Sequence, residues 1–127
     1  ELSHHYGMEQ FEDFGITLIT IINRAYCKKI LVCLPNQVHP EQYHKVKEET
    51  FHVLYGQVEV TLDGVTCSFA AGDLINIEPG VRHGFVSTEG AVIEEISSTH
   101  YLDDSNYTDM IINENKNRKT LLAYWMN

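Results

Sequence analysis

Short apolar stretches alternate with turn residues along most of this chain. Ile16–Ile22 is apolar on both faces, and Cys27–Leu34 is a second β-strand-like run, which Pro35 ends. Both runs have the length and the composition of β-strands. The preceding segment, Tyr6–Phe14, carries apolar residues at helical spacing, which predicts a short helix or an irregular arm.

Strict alternation is clearest between residues 49 and 63, as at Val58 and Val60. We expect a hairpin here, with Gly56 between its two strands, where a positive φ costs little. Asp63–Gly64 is the strongest short hairpin signal of the chain. Further predicted strands follow, at residues 65–69, 74–77, 85–87 and 91–96.

About eight short strands therefore succeed one another, with turn signals roughly every six to twelve residues. That spacing is typical of an all-β antiparallel sandwich or barrel. We expect an N-terminal arm at residues 1–14, a barrel at 15–107 and a C-terminal tail at 108–127. The tail contains Leu121, Leu122 and Trp125, and we expect it to pack on the barrel or on a partner.

Composition narrows the class of partner. The 127 residues, 43% of them hydrophobic, suit one packed domain, and no apolar run reaches the ~18 residues that cross a bilayer. A net charge of −9 repels phosphate backbones and anionic lipids, so we expect no nucleic acid and no membrane as partner. Cys27, Cys33 and Cys67 are predicted to be buried free thiols of a cytoplasmic protein.

Three residues around the central strands suggest a metal site. His44 and Glu49 precede the Gly56 region, and His83 follows the Pro79–Gly80 turn. Gln42 lies two residues before His44, so both side chains share one face of a strand. Two imidazoles, a carboxylate and an amide oxygen form a plausible ligand set for one first-row divalent ion.

The other histidines have simpler interpretations. We expect His52 to lie on the outer face of its strand, His4 and His5 to be disordered or on the surface, and His100 to be structural. His39 could supply an imidazole in place of Gln42, but its spacing of five to His44 and the adjacent Pro40 disfavour it.

Two segments resemble the paired motifs of the cupin family. Residues 42–56 follow the first motif, in which His-x-His, a short gap, Glu and a later Gly succeed one another. Residues 72–83 are similar to the second motif, which runs from Gly through Pro-x-Gly to His. The resemblance covers about residues 28–98 and implies a double-stranded β-helix, or jelly roll.

Some positions depart from the family pattern. Gln42 stands where the first metal-binding His is expected, Glu78 where a Pro is expected, and Ser87 where Asn is frequent. By resemblance, His44, Glu49 and His83 are the metal ligands and Gln42 is a fourth through its side-chain oxygen. The ion would be Zn, Mn, Ni or Fe, and losing one imidazole should weaken its binding.

Three phrases resemble narrower groups of cupins. Residues 1–7, 44–51 and 94–101 are similar to the cupin domain appended to sialic-acid-synthase-type proteins, and also to cupins grouped with D-lyxose isomerase. The first resemblance implies a link to bacterial surface-carbohydrate (nonulosonic acid) biosynthesis and a covalently linked synthase domain. The absence of an initial Met agrees with such a longer protein.

Several functions follow as hypotheses. The first is a metal-binding domain that binds or acts on a sugar or sugar acid. The second is a metal-dependent sugar isomerase of the D-lyxose-isomerase type, and the third is a non-catalytic dimerisation or sensing module; an iron dioxygenase fits less well. The sequence assigns no catalytic residue, and we expect a homodimer formed through the apolar Ile16–Ile22 run or the Trp125 tail.

Overall fold

A computed structural model describes residues 1–122, and the predicted tail contact of Trp125 lies outside them. The described chain forms two facing antiparallel sheets with two short helices, α1 (Phe11–Phe14) and α2 (Met110–Glu114). The strands are β1 (Leu2–Ser3), β2 (Ile16–Asn23), β3 (Tyr26–Cys33), β4 (Val38–Tyr43), β5 (Glu49–Leu62), β6 (Val65–Ala70), β7 (Leu74–Ile77), β8 (His83–Val86), β9 (Ala91–Ser98), β10 (Asn106–Tyr107) and β11 (Lys119–Thr120). Neither α1 nor α2 is long enough to span a membrane.

Strand β5 belongs to both sheets. Its first half pairs with β7 and β9, and its second half pairs with β6 and β8. The first sheet has the order β11-β1-β2-β3-β9-β5-β7, and the second has the order β10-β4-β8-β5-β6. This arrangement confirms the predicted all-β jelly roll.

The hairpin predicted at Gly56 is wrong, because β5 runs through this residue without a turn. Gly56 has φ +81° and lies where β5 passes from one sheet to the other. A glycine therefore marks a bend here, since only glycine adopts that φ cheaply. The Asp63–Gly64 turn is confirmed, with φ values of 46° and 83° that fit a two-residue hairpin.

Apolar side chains fill the space between the sheets at one end of the barrel. Inward positions of neighbouring strands supply this core: Ile16, Leu31, Cys33, Phe51, Val53, Val58, Val60, Ile75, Ile77, Phe85, Ala91 and Ile93. Towards the other end the inward positions become polar, as at Lys29, Glu49 and Glu95. One end of the barrel is thus a hydrophobic core, and the other end holds charged groups.

The first and last strands of the described chain meet at the edge of the first sheet. Strand β1 pairs with β2 on one side and with β11 on the other. Cys67 is exposed, contrary to the prediction of a buried thiol, because among the described strands β6 pairs with β5 alone and its side chains are largely open to solvent. Cys27 and Cys33 are buried as predicted.

Gly56 offers a test of the strand crossing. A Cβ at this position would lie 2.4 Å from the carbonyl oxygen of Gly90, so Gly56→Ala adds a backbone clash to the φ strain. We expect the free energy of unfolding to fall by about 2–4 kcal/mol in denaturant titrations.

Gly64→Ala is the matched control. Gly64 has nearly the same φ, but a Cβ there meets no atom within 4 Å, so we expect a loss of only about 1 kcal/mol. Equal losses in the two variants would contradict the proposed close approach at Gly56.

Candidate metal centre

Three predicted ligands converge inside the polar end of the barrel. His44 follows β4, Glu49 begins β5 and His83 begins β8. All three are buried, and their ligand atoms lie within 4.8 Å of one another. The Glu49 carboxylate is central, with His44 Nε2 at 3.0 Å from Oε2 and His83 Nε2 at 3.7 Å from Oε1.

Backbone carbonyls orient both imidazoles. Nδ1 of His44 lies 2.8 Å from the carbonyl oxygen of Asp104, and Nδ1 of His83 lies 2.9 Å from that of Val81. A carbonyl oxygen can only accept, so each Nδ1 donates, and in the neutral ring Nε2 then presents a lone pair. This second hydrogen bond is the usual way in which proteins orient a metal-binding histidine.

The converging atoms lack hydrogen-bond partners. Nε2 of His44, Nε2 of His83 and Oε2 of Glu49 are all fully buried and make no hydrogen bond among the described residues. The 3.0 Å approach of His44 to Glu49 therefore does not have hydrogen-bond geometry. Buried polar atoms without partners are costly, and a cation between two lone pairs and a carboxylate would satisfy all three. The donor set thus fits a divalent ion.

Charge distribution agrees with that fit. Burial acts to raise the pKa of Glu49, but the adjacent His44 imidazole, Lys47 and His83 outweigh it and lower the pKa to about 2. Burial lowers the pKa of His83, against the opposing effect of Glu49. An ionised carboxylate and neutral imidazoles are the forms that bind a metal.

Gln42 and His39 lie near this cluster. Gln42 pairs in register with His83 and lines the same cavity as His44, which keeps it a candidate fourth ligand. His39 is absent from the group of converging ligand atoms; its ring stacks on Phe85, and its Nδ1 bonds the Pro40 carbonyl. The structure thus places His39 beside the site, as a packing residue.

Asp104 holds the loop between β4 and β5. Its carboxylate accepts the backbone N–H groups of Lys45, Val46 and Lys47 at 2.8–3.2 Å. Burial acts to raise the pKa of Asp104, but these hydrogen bonds outweigh it and lower the pKa. Together with its carbonyl bond to His44, this one residue fixes both an imidazole and the loop. Sequence reasoning missed Asp104, because it lies 60 positions after His44 and no motif marks it.

A second carboxylate lies beside the cluster. Lys47 Nζ is 3.5 Å from Oε2 of Glu49 and 3.1 Å from Oε2 of Glu95, so this buried ammonium joins the two acids. Burial raises the pKa of Glu95, as does the nearby Glu49, while Lys47 and Lys29 oppose the shift. Glu95 lies in the 94–101 phrase and at an inward position on β9 that it shares with apolar residues, but neither signal assigns it a role from the sequence.

These groups border a narrow cavity of about 40 Å³. Its lining includes Lys29, Gln42, His44, Glu95 and His100, together with Ser3 and Lys119 from β1 and β11. A larger cleft of about 580 Å³ lies on the outer surface, around Gly56 and Gly90. We place the site in the smaller cavity, because its lining includes His44, one of the converging imidazoles, together with Lys47 and Glu95.

Two expectations for the other histidines are wrong. His4 and His5 are buried and not on the surface, because β1 pairs with β2 and β11 and draws them inward. His5 packs edge-on against His39 and Tyr107. His52 does lie on the outer face of β5, where Nδ1 is 3.3 Å from Glu94.

Metal binding is the first prediction for this site. We expect Zn²⁺, Mn²⁺, Ni²⁺ or Fe²⁺ to raise the unfolding temperature of the wild-type protein, since a ligand at 100 times its Kd adds about 2.7 kcal/mol of stability. In His44→Ala and His83→Ala the metal-dependent shift should disappear, whereas His52→Ala should keep it. Elemental analysis of protein purified without a metal-affinity tag would identify the ion.

A metal-dependent shift that survives both histidine variants would show that the ion binds elsewhere. Because each shift is read as the difference with and without metal, a loss of intrinsic stability in a variant does not obscure it.

The Asp104 clamp gives a second prediction. We expect Asp104→Ala to weaken zinc binding about 10- to 100-fold, because the loop no longer fixes His44. Asp104→Asn keeps an acceptor oxygen and should lose less, and Asp103→Ala, at an exposed neighbouring position, should bind as the wild type does. Competition with a chromophoric chelator measures the Kd, and unchanged affinity in Asp104→Ala would contradict the clamp.

Comparison with known proteins identifies the family. The sequence model described as "Cupin domain" matches residues 30–96. The D-lyxose/D-mannose isomerase of Thermosediminibacter oceani is 30% identical, and the match covers 82% of this chain and 74% of that protein. The D-lyxose ketol-isomerase of a Thermofilum species is 26% identical over the same shares.

A solved structure agrees on the fold. The L-ribose isomerase of Cellulomonas parahominis superposes with a TM-score of 0.74 at 14% identity, over 79% of this chain and 72% of that one. The family match covers more than half of the chain, and a 30%-identical relative is matched over most of its length. The chain therefore belongs to the cupin family and is similar to its sugar isomerases.

Proposed function

We propose that this protein is a metal-dependent sugar isomerase, the second of the functions expected from the sequence. One observation carries the proposal: a buried His–Glu–His donor set is joined through Lys47 to a second buried carboxylate, Glu95. A metal site alone suits many chemistries, but aldose–ketose isomerisation also requires an acid–base group beside the ion. The named isomerase relatives support the same assignment.

His44, Glu49 and His83 would hold the ion, with Gln42 as a fourth ligand. Such an ion supplies Lewis acidity to the carbonyl and hydroxyl oxygens of a sugar. Zn, Mn, Ni and Fe all accept nitrogen and carboxylate ligands, so the donor set alone leaves the choice among them to experiment.

Glu95 is the group that we assign to proton transfer. In the proposed reaction its carboxylate takes the proton from C2 of the aldose and returns it to C1, while the O2 proton passes to O1, so that the ketose forms without net loss. A carboxyl group whose pKa is raised by burial is a better base than an ordinary one. Lys47 acts as a positioning residue, because it contacts both Glu95 and Glu49.

Sugar entry requires the cavity to widen. About 40 Å³ accommodates only a few water molecules, whereas a pentose is several times larger. Ser3 and Lys119 border the cavity from β1 and β11, which are two residues long and pair at the sheet edge. Short edge pairings open at low cost, so these strands are the segment that we expect to move.

Three expectations from the sequence remain predictions. They are the link to surface-carbohydrate biosynthesis, the covalently linked synthase domain and the homodimer. The half-exposed Ile19 and Ile21 on β2 support the homodimer, since they leave an apolar strip on the outer face.

Glu95→Gln tests the proposed chemistry. We expect the metal-loaded wild type to interconvert D-lyxose or D-mannose with the matching ketose, followed by chromatography. The variant should lose about 10²- to 10⁴-fold in kcat with little change in KM, because the amide cannot accept the proton.

Glu94→Gln is the matched control. Glu94 is the neighbouring residue on β9, but it points outward to Lys28 at 2.8 Å, so kcat should not change. If the wild type binds a sugar with each metal and converts none, the non-catalytic binding module becomes the better assignment.

A further inference from the structure

A second buried lysine, Lys29, lies on the wall of the same cavity. It occupies an inward position on β3, is 7% exposed and lines the space that Gln42, His44 and Glu95 also border. Lysine is almost never buried to this degree unless a partner compensates its charge. The buried Lys29 ammonium therefore requires a negatively charged partner.

The two buried lysines differ in their partners. Lys47 contacts Glu49 and Glu95, whereas Lys29 has no carboxylate within 4.0 Å and no side-chain hydrogen bond among residues 1–122. Glu95 stands directly opposite Lys29 in the register of β3 and β9, but its Oε2 bonds Lys47. The nearest acid of the cavity is thus already engaged.

The pKa values of the two lysines shift in opposite directions. Burial lowers the pKa of Lys29, and the attraction of Glu95 offsets that effect only in part. Burial also acts to lower the pKa of Lys47, but Glu95 and Glu49 outweigh it and raise the pKa. A negative group beside Lys29 would give it the compensation that Lys47 already has.

The charges around the cavity also favour a negatively charged group beside Lys29. Lys29 and Lys47 balance Glu49 and Glu95 one for one, so the divalent ion of the proposed function would leave an excess of two positive charges. Towards the mouth, Lys119 and Glu1 lie 3.6 Å apart and offset each other. Burial lowers the pKa values of His39 and His100, so neither adds a positive charge at neutral pH.

We propose that the ligand of this cavity is a sugar that carries an acidic group, a carboxylate or a phosphate, and that Lys29 binds the oxygens of this group. The inference rests on the proposed metal-dependent sugar chemistry and specifies its substrate class. An ammonium that lacks a partner inside a cavity forms a strong, charge-assisted hydrogen bond with such an anion.

Three forms of one hexose test the inference. Calorimetric titration of the metal-loaded protein would compare D-mannose, D-mannuronate and D-mannose 6-phosphate. We expect the wild type to bind at least one acidic form about tenfold or more tightly than mannose, the advantage of a hydrogen bond to a charged group. The carboxylate and phosphate arms show which acid the cavity accepts.

Lys29→Met should lose that preference, and Lys29→Arg, which keeps the charge, should retain it. Lys28→Met is the matched control: Lys28 is the preceding residue on β3 but pairs outward with Glu94, so the preference should be unchanged. Lys29→Met also removes a buried charge and should not unfold the protein.

Each outcome decides the inference. It is overturned if mannose binds as tightly as both acidic forms, if neither acidic form binds, or if the preference survives in Lys29→Met. Binding is measured apart from turnover, so the two proposals fail separately. Turnover of mannose without a preference for the acidic forms leaves the isomerase standing, and Lys29-dependent binding without turnover leaves the acidic-ligand site standing.

Discussion

The arrangement of this barrel depends on burying the Glu49 carboxylate. An ionised carboxylate inside a protein is strongly destabilising unless neighbouring groups compensate it. Lys47 lies at 3.5 Å, but the atoms that meet Glu49 most directly are the lone pairs of two imidazoles, which cannot donate to it. A positive charge among these three groups removes the conflict, and a divalent ion supplies it while it also uses both imidazole lone pairs. The hydrogen bonds from Nδ1 of His44 and His83 to the carbonyl oxygens of Asp104 and Val81 hold the two imidazoles in this otherwise unfavourable orientation.

Strand alternation lets one barrel carry both a core and such a site. Along β5 the inward positions are Val53 and Phe51 and then Glu49, and along β9 they are Ile93 and then Glu95. The same face of each strand thus changes from apolar to charged within two residues, which is roughly 7 Å of strand. The hydrophobic end supplies stability, while the polar end lies where the short edge strands β1 and β11 meet. The polar end can therefore hold a ligand site while the hydrophobic core at the other end stays closed.

Local sequence signals predicted the parts that local geometry decides. The strands, the Asp63–Gly64 turn and the spacing of His44, Glu49 and His83 each depend on a few adjacent residues. Gly56 was misinterpreted because a positive φ serves a bend as well as a turn. Asp104 and Glu95 could not be found, since each acts through partners about 50 to 60 positions away. His4 and His5 were misplaced for a related reason: pairing between the two ends of the chain buries them, and no local pattern encodes it.

The two buried acids of the cavity are chemically alike but have opposite environments. Glu49 faces His44, Lys47 and His83, which together lower its pKa and keep it an anion suited to hold a cation. Glu95 is equally buried, shares Lys47 with Glu49 and is repelled by it, so its pKa is raised. Separating the pKa values of two neighbouring carboxyl groups is how an active site divides charge binding from proton transfer. The ion pair with Lys47 offsets part of the cost of burying this second carboxyl group, which none of the three converging ligands requires. Under the proposed function, Glu95 is therefore the residue whose substitution separates a catalytic role of this cavity from metal holding alone.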